Sequence, residues 1–194
     1  MDIENQENLD WPNLKRYRQE NHDLRSTVNS GKRIVFMGDS ITEGWSGLYP
    51  EFFKNKDHIN RGISGQTTPQ MLIRFKPDVI DLSPSTVVIL AGTNDIAENT
   101  GPSNVKMITD NIFSMADLAS AHKIDIILCS ILPVYEYSWK KIVDVPTYIH
   151  EVNTMLKDYC SEKSFQYIDY FSAMANEKKG LGEDLSEDGV HPNE

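Results

Sequence analysis

Three times in this chain a short apolar run breaks at once into glycine and small polar residues, and this repetition limits the possible folds more than any other feature. Ile34-Val35-Phe36-Met37 runs into Gly38-Asp39-Ser40, His58 to Arg61 runs into the segment Gly62 to Pro69, and Thr86 to Leu90 runs into Ala91-Gly92-Thr93-Asn94-Asp95. Each reads as a buried strand opening into a turn. Between and after them lie patterns of helical period. Thr68 and Pro69 suit an N-cap and first helical residue before Met71, Leu72 and Phe75, with a stop by Pro77. Ile108, Ile112, Met115 and Ala119 predict a helix over Val105 to His122, and Ile149, Val152, Leu156 and Tyr159 predict another. Further strands are expected at Ile124 to Ser130 and Gln166 to Asp169. Strands alternating with helices imply βαβ units, hence a mainly parallel sheet of about five strands with helices on both faces. The three polar turns then share one rim, where they can form a single site.

Outside this alternation, Trp11 to Leu24 reads as a helix with Pro12 in its first turn, followed by a polar link to Lys32. Residues 1–32 are therefore expected to form a helix and link packed on a domain of residues 33–194. A short helix is expected over Leu48 to Lys54. Ile131 to Pro146 reads as a loop carrying Tyr135, Tyr137 and Trp139, which either line a substrate pocket or pack on the domain. Tyr170 to Glu194 reads as polar and irregular.

The formal net charge of -10 repels phosphate backbones, which argues against a nucleic-acid partner. No apolar run is long enough to span a bilayer. Cys129 and Cys160 both sit in apolar patterns and read as small buried hydrophobes rather than a disulfide. His22, His58, His122 and His150 make no ligand cluster. The segment Met1 to Asp10 lacks the basic start and apolar core of a signal peptide. The protein is thus cytoplasmic, or is exported with its leader removed; a homodimer is left open.

The chemistry is carried by Asp188-Gly189-Val190-His191. Positions i and i+3 share one face of a helical turn, so Asp188 can orient the His191 imidazole, which then needs a nucleophile. Ser40, at the end of the first strand, is the obvious one. The other two rim turns offer donors for an oxyanion: the backbone N–H of Gly65 and the side-chain amide of Asn94, beside the N–H of Ser40 itself. Asp39 and Trp45, flanking Ser40, are candidates for contact with substrate, and Asp95 is expected to tie down its own loop. Gly62 reads as a tight-turn residue.

Gly38-Asp39-Ser40, Gly65, Gly92-Thr93-Asn94-Asp95 and Asp188-x-x-His191, in that order, resemble the four blocks of the SGNH, or GDSL, hydrolases. Asn60 to Thr68 is most similar to the branch related to platelet-activating-factor acetylhydrolase and bacterial acylhydrolases. The resemblance implies a flavodoxin-like three-layer α/β/α sandwich and ester hydrolysis without metal or organic cofactor. It implies Ser40, Asp188 and His191 as a triad and Ser40, Gly65 and Asn94 as an oxyanion hole. Short acyl esters, chiefly acetyl esters of carbohydrates or lipids, are the implied substrates, with thioesters and lysophospholipids behind them. Family members usually continue past the histidine into a C-terminal helix, whereas this sequence stops at Pro192-Asn193-Glu194: either it is a truncated form of the protein or, if it is the whole molecule, weak support for the loop of Asp188 and His191 is expected. Two rivals from other classes are a non-catalytic protein binding carbohydrate or anions, and a nucleotide-binding flavodoxin-like domain. The second finds neither a phosphate-loop lysine nor a Gly-x-Gly-x-x-Gly fingerprint.

Overall fold

In the computed structural model, residues 10–193 are described, so most of the acidic Met1 to Asp10 segment and Glu194 lie outside the described residues. Five strands, β1 (Ile34–Gly38), β2 (His58–Gly62), β3 (Thr86–Leu90), β4 (Asp125–Cys129) and β5 (Gln166–Ile168), form one sheet in the order β2-β1-β3-β4-β5. Every pairing is parallel. This is the flavodoxin-like order, in which β1 is the switch point: the chain leaves it in one direction to reach β2 and returns past it to β3.

Among the described residues eight α-helices fill the connections and the flanks: α1 (Arg18–Ser26), α2 (Ser40–Leu48), α3 (Pro50–Phe53), α4 (Thr68–Asp78), α5 (Thr93–Ile96), α6 (Val105–Ala121), α7 (Val145–Lys163) and α8 (Tyr170–Met174). Right-handed crossovers place α2 on one face of the sheet and α4, α6 and α7 on the other. Alternation along the strands gives the second face Val35, Met37, Val87, Ile89 and Leu128, none more than 1% exposed. They meet Met71 and Phe75 of α4, Ile108 and Ile112 of α6, and Ile149 and Val152 of α7 in the main core. Full burial of each such side chain is worth about 1.5–3 kcal/mol. The α2 face carries Phe36 and Val88, where the Trp45 ring meets Phe36 edge-on at 5.4 Å and stacks on Phe52 at 4.6 Å. Between α2 and α8 this face holds an apolar groove of about 580 Å³, walled by Phe36, Trp45, Val88, Leu90, Met174 and Pro192. Cys129 and Cys160 are both buried free thiols.

Four local expectations need correction. The first described helix begins at Arg18, not Trp11: the Asp10 carboxylate accepts from the N–H groups of Leu14 and Lys15, and Asn13 takes a left-handed φ of 56°, so residues 11–17 coil into turns. A helix starts directly at Ser40, capped by Asp39, where Gly44 and Gly47 mask the helical pattern; the short helix expected over Leu48 to Lys54 shrinks to α3. The cap of α4 is Thr67 rather than Thr68, with Gln70 Oε1 accepting from the Thr67 N–H at 3.0 Å, and the helix runs past Pro77 to Asp78. The segment after β5 is not wholly irregular, because Asp169 caps α8 through the Ser172 N–H.

Candidate active site

Ser40 is the first residue of α2, immediately beyond β1. Its N–H is one of those a helix start leaves without an intrahelical partner. Asp39 is only 1% exposed and its carboxylate accepts from the Ile41 N–H at 3.0 Å. The expectation that it touches substrate is therefore corrected: it points inward as a helix cap. Burial pushes its carboxyl up to about 7, against the opposing pull of the Ile41 N–H and of His191. Gly62 is needed for close approach rather than for a tight turn, since a Cβ there would stand 2.1 Å from the Glu43 N and 2.7 Å from the Asp39 O. The backbone of α2 thus lies directly on the end of β2, which fixes where Ser40 stands.

The His191 ring reaches Ser40 from the far end of the chain. Nε2 lies 2.8 Å from Ser40 Oγ and Nδ1 lies 2.6 Å from Asp188 Oδ2. Because a carboxylate only accepts, the Nδ1–H donates to Asp188 and Nε2 is left to accept the Ser40 proton. The turn that carries the pair is a bend rather than a helical turn. Asp188 Oδ1 accepts from the N–H groups of Val190 (2.9 Å) and His191 (2.8 Å), while the Ser186 hydroxyl donates to the His191 carbonyl (2.7 Å) and accepts from the Gly189 N–H (2.9 Å). Val190 lies 1% exposed beneath it and the Asn193 N–H is bonded to the Leu185 carbonyl, so this turn carries local support. Partial burial pushes the Asp188 carboxyl upward, but the N–H groups of His191 and Val190 and the His191 ring outweigh it. The group is held well below the usual carboxylate range.

The turns after β2 and β3 are fastened to the β1 turn by side chains that the motif reading does not single out. Gly65 has a left-handed φ of 74°, and its N–H makes no hydrogen bond among the described residues. On one side of it, Glu43 of α2 accepts from the Ser64 N–H at 2.8 Å. On the other side, Arg74, fully buried, donates to the side chain of Gln66 and, at 3.0 Å, to the carbonyl of Gly38. Asn94, 5% exposed, donates one N–H to the Gln66 carbonyl at 3.1 Å, which leaves its second N–H without a partner among the described residues. Asp95 does more than tie its own loop: it accepts from the N–H and hydroxyl of Thr68, locking the β3 turn to the start of α4, and burial pushes its carboxyl up to about 6 against those bonds. Sequence spacing carries no trace of these cross-ties, because all but the Arg74–Gln66 bond join residues at least 21 positions apart in the chain.

Trp45 stands on α2 in the wall of the apolar groove. A second, polar groove of about 350 Å³ opens on the other side and includes Gly65, Ser64, Asn13, Gln70 and Thr100, with Trp11 46% exposed at its edge. The aromatic loop divides: Tyr137 is buried with its hydroxyl 2.9 Å from Thr93 Oγ1, Trp139 donates its Nε1–H to Asn99, and Tyr135 is exposed. Among the described residues no cluster of histidine, cysteine and carboxylate side chains is arranged to hold a metal ion, and no helix is long and apolar enough to cross a membrane.

The fold and the sequence are similar to those of known proteins. Residues 36–194 match the model of the GDSL-like lipase/acylhydrolase family. The structure is similar to that of a GDSL-like lipase from Bacteroides thetaiotaomicron, with a TM-score of 0.90 and 48% identity over 94% of this chain and 90% of that one. In sequence the chain is 31% identical over 124 residues to the uncharacterized lipoprotein YqeF of Bacillus subtilis, covering 55% of this chain and 51% of YqeF. It is 32% identical over 94 residues to an acetylxylan esterase of Geobacillus stearothermophilus, covering 36% of this chain and 42% of that protein. The matches thus span about half, or less, of the length of these two curated relatives.

Proposed function

The chain belongs to the GDSL-like lipase/acylhydrolase family, and from that premise we propose that it hydrolyses short-acyl carboxylic esters through an acyl-enzyme on Ser40. The observation that carries the reading is the continuous hydrogen-bond path from Ser40 Oγ through both ring nitrogens of His191 to Asp188. Ser40 Oγ attacks the ester carbonyl carbon while its proton passes to Nε2, and Asp188 stabilises the imidazolium that results. The tetrahedral oxyanion receives the N–H groups of Ser40 and Gly65 and the second N–H of Asn94. Collapse breaks the bond to the alcohol, which leaves with the proton from Nε2. Water then repeats the sequence on the acyl-enzyme, and the carboxylic acid departs.

The same reading extends to the alcohol. The polar groove shares Gly65 with the oxyanion site and presents a half-exposed indole beside hydroxyl and amide groups, the lining that suits a sugar better than a lipid chain. Acetyl esters of carbohydrates are the substrates this favours, and the similarity to an acetylxylan esterase supports them. The test is hydrolysis of p-nitrophenyl acetate, p-nitrophenyl palmitate and an acetylated xylo-oligosaccharide by the wild type and Ser40→Ala. The wild type should turn over both acetyl esters and favour them over the palmitate. The variant should lose at least about 10⁴-fold in kcat. A Ser40→Ala protein as active as the wild type overturns the nucleophile, and preference for the palmitate overturns the short-acyl assignment.

A further inference from the structure

If Asn94 is to act as an oxyanion donor, its amide must be held in one orientation, and the structure shows what holds it. One N–H is spent on the Gln66 carbonyl at 3.1 Å, and Oδ1 accepts from the side-chain amide of Asn99 at 2.7 Å. An amide gripped at its oxygen and at one N–H has the direction of its remaining N–H determined. The orientation of Asn99 is fixed in turn, because its own Oδ1 accepts from the Trp139 indole N–H at 3.3 Å. Two more bonds clamp the aromatic loop to the same segment: Tyr137 to Thr93 at 2.9 Å, and Lys140 to Glu98 at 3.0 Å. Glu98 and Gly101 have left-handed φ values of 55° and 113°, which fold the chain back so that Asn99 meets Asn94.

We propose that Asn99 is a positioning residue for the oxyanion hole, aligning and polarising the Asn94 amide, and that Trp139 secures Asn99 in that role. This rests on ester hydrolysis through Ser40. The turn itself does not need the Asn99 side chain: the Asn99 backbone N–H already donates to the Asn94 carbonyl at 3.0 Å, and the residue is exposed. What the side chain adds is a donor on Oδ1. As negative charge develops on the oxyanion, that bond strengthens the opposite N–H as a donor, since linked hydrogen bonds polarise one another. The aromatic loop, on this view, acts on catalysis through the amide chain from Trp139 to Asn94.

The test is steady-state hydrolysis of p-nitrophenyl acetate by the wild type, Asn99→Ala, Asn99→Asp, Asn94→Ala and the Asn94→Ala/Asn99→Ala double variant, with thermal melts of each. Losing an oxyanion donor outright costs about 10²–10³ in kcat, so misaligning one is expected to cost about tenfold. Asn99→Ala should lower kcat by about that factor with KM within about twofold. Asn99→Asp, which still accepts from Trp139 but has no donor for Asn94, should lower kcat at least as far. In the Asn94→Ala background the Asn99→Ala change should alter kcat by less than about twofold, because the amide it positions is gone. Equal losses in both backgrounds, a rise in KM in place of a fall in kcat, or an unaltered kcat in Asn99→Ala each overturn the assignment while the wild type remains an esterase. An inactive wild type overturns the esterase reading, and this assignment with it.

Discussion

Asp39 lies next to Ser40 but faces inward, and replacing it with asparagine should stabilise the protein in a manner that depends on pH. Asparagine caps a helix about as well as aspartate and keeps the oxygen that accepts from the Ile41 N–H. What it removes is a carboxyl that is 1% exposed and whose burial raises its folded pKa from 3.8 to about 7. With a folded pKa above the unfolded one, the folded state binds the proton more tightly, so this group favours folding below about pH 4. That contribution is lost progressively as pH rises from about 4 to about 7 and is gone above that. Three units at about 1.4 kcal/mol each put the cost of the ionised, buried group at about 4 kcal/mol. Most of it, about 3 kcal/mol, accrues between about pH 4.5 and about pH 8.5. Urea denaturation of the wild type and Asp39→Asn at those two values should show the variant gaining about 3 kcal/mol relative to the wild type on going to the higher pH. The asparagine N–H groups carry their own cost if unpaired, about 1–3 kcal/mol, but that cost is common to both pH values and cancels in the comparison. Repulsion from Asp95 and the opposing attraction of His191 are both already contained in that shift. A difference between the two proteins that stays constant within about 1 kcal/mol across this range would refute the reasoning.

Two further expectations concern the frame and the base. Gly62→Ala places a Cβ 2.1 Å from the Glu43 backbone N, so α2 must lift from β2; a loss of about 3 kcal/mol or more is expected in thermal or urea unfolding, and a melting temperature equal to that of the wild type would show that α2 does not rest on that glycine. Asp188→Asn should lower kcat by about 10²–10⁴, because the amide no longer enforces a proton on Nδ1 of His191. Since the Asp188 carboxyl is held well below the usual carboxylate range, it should stay ionised as the pH falls through that range; a carboxyl carbon NMR signal of Asp188 that titrates in the ordinary carboxylate range would contradict that assignment.

How much of this was legible in the sequence depends on whether a feature is local. β3 was readable residue for residue, because Thr86 to Leu90 is an unbroken run of strand-forming side chains ended by a glycine turn. Alternation of strands and helices anticipated only a parallel sheet, since it states handedness but not neighbours; the flavodoxin-like order came from the motif resemblance. Asp188 and His191 are close in sequence, so their meeting could be argued from spacing, although the turn that joins them proved to be a bend held by Ser186 rather than part of a helix. Ser40 and His191 are 151 positions apart, and only the motif order hinted that they meet at 2.8 Å. Asp39 was misplaced because a polar residue beside a nucleophile reads equally as a ligand contact or as a cap, and only its burial decides. Glu43, Arg74 and Gln66 went unnoticed for one physical reason: each ties together turns contributed by different strands, and such ties come into view only when the sheet has brought the strand ends together. Asn99 is only five positions from Asn94, but the left-handed turn that folds its side chain back onto that amide has no signature in residue type.

The central claim is that Ser40 is the one hydroxyl activated for attack on a carbonyl, and covalent trapping tests it most directly. Wild-type protein treated with a dialkyl fluorophosphate, digested and examined by peptide mass spectrometry should carry a single dialkylphosphoryl group on the peptide containing Ser40. Ser40→Ala, correctly folded by thermal melt, should carry none. Labelling of the variant to the same extent, or of the wild type on another residue, would contradict the account.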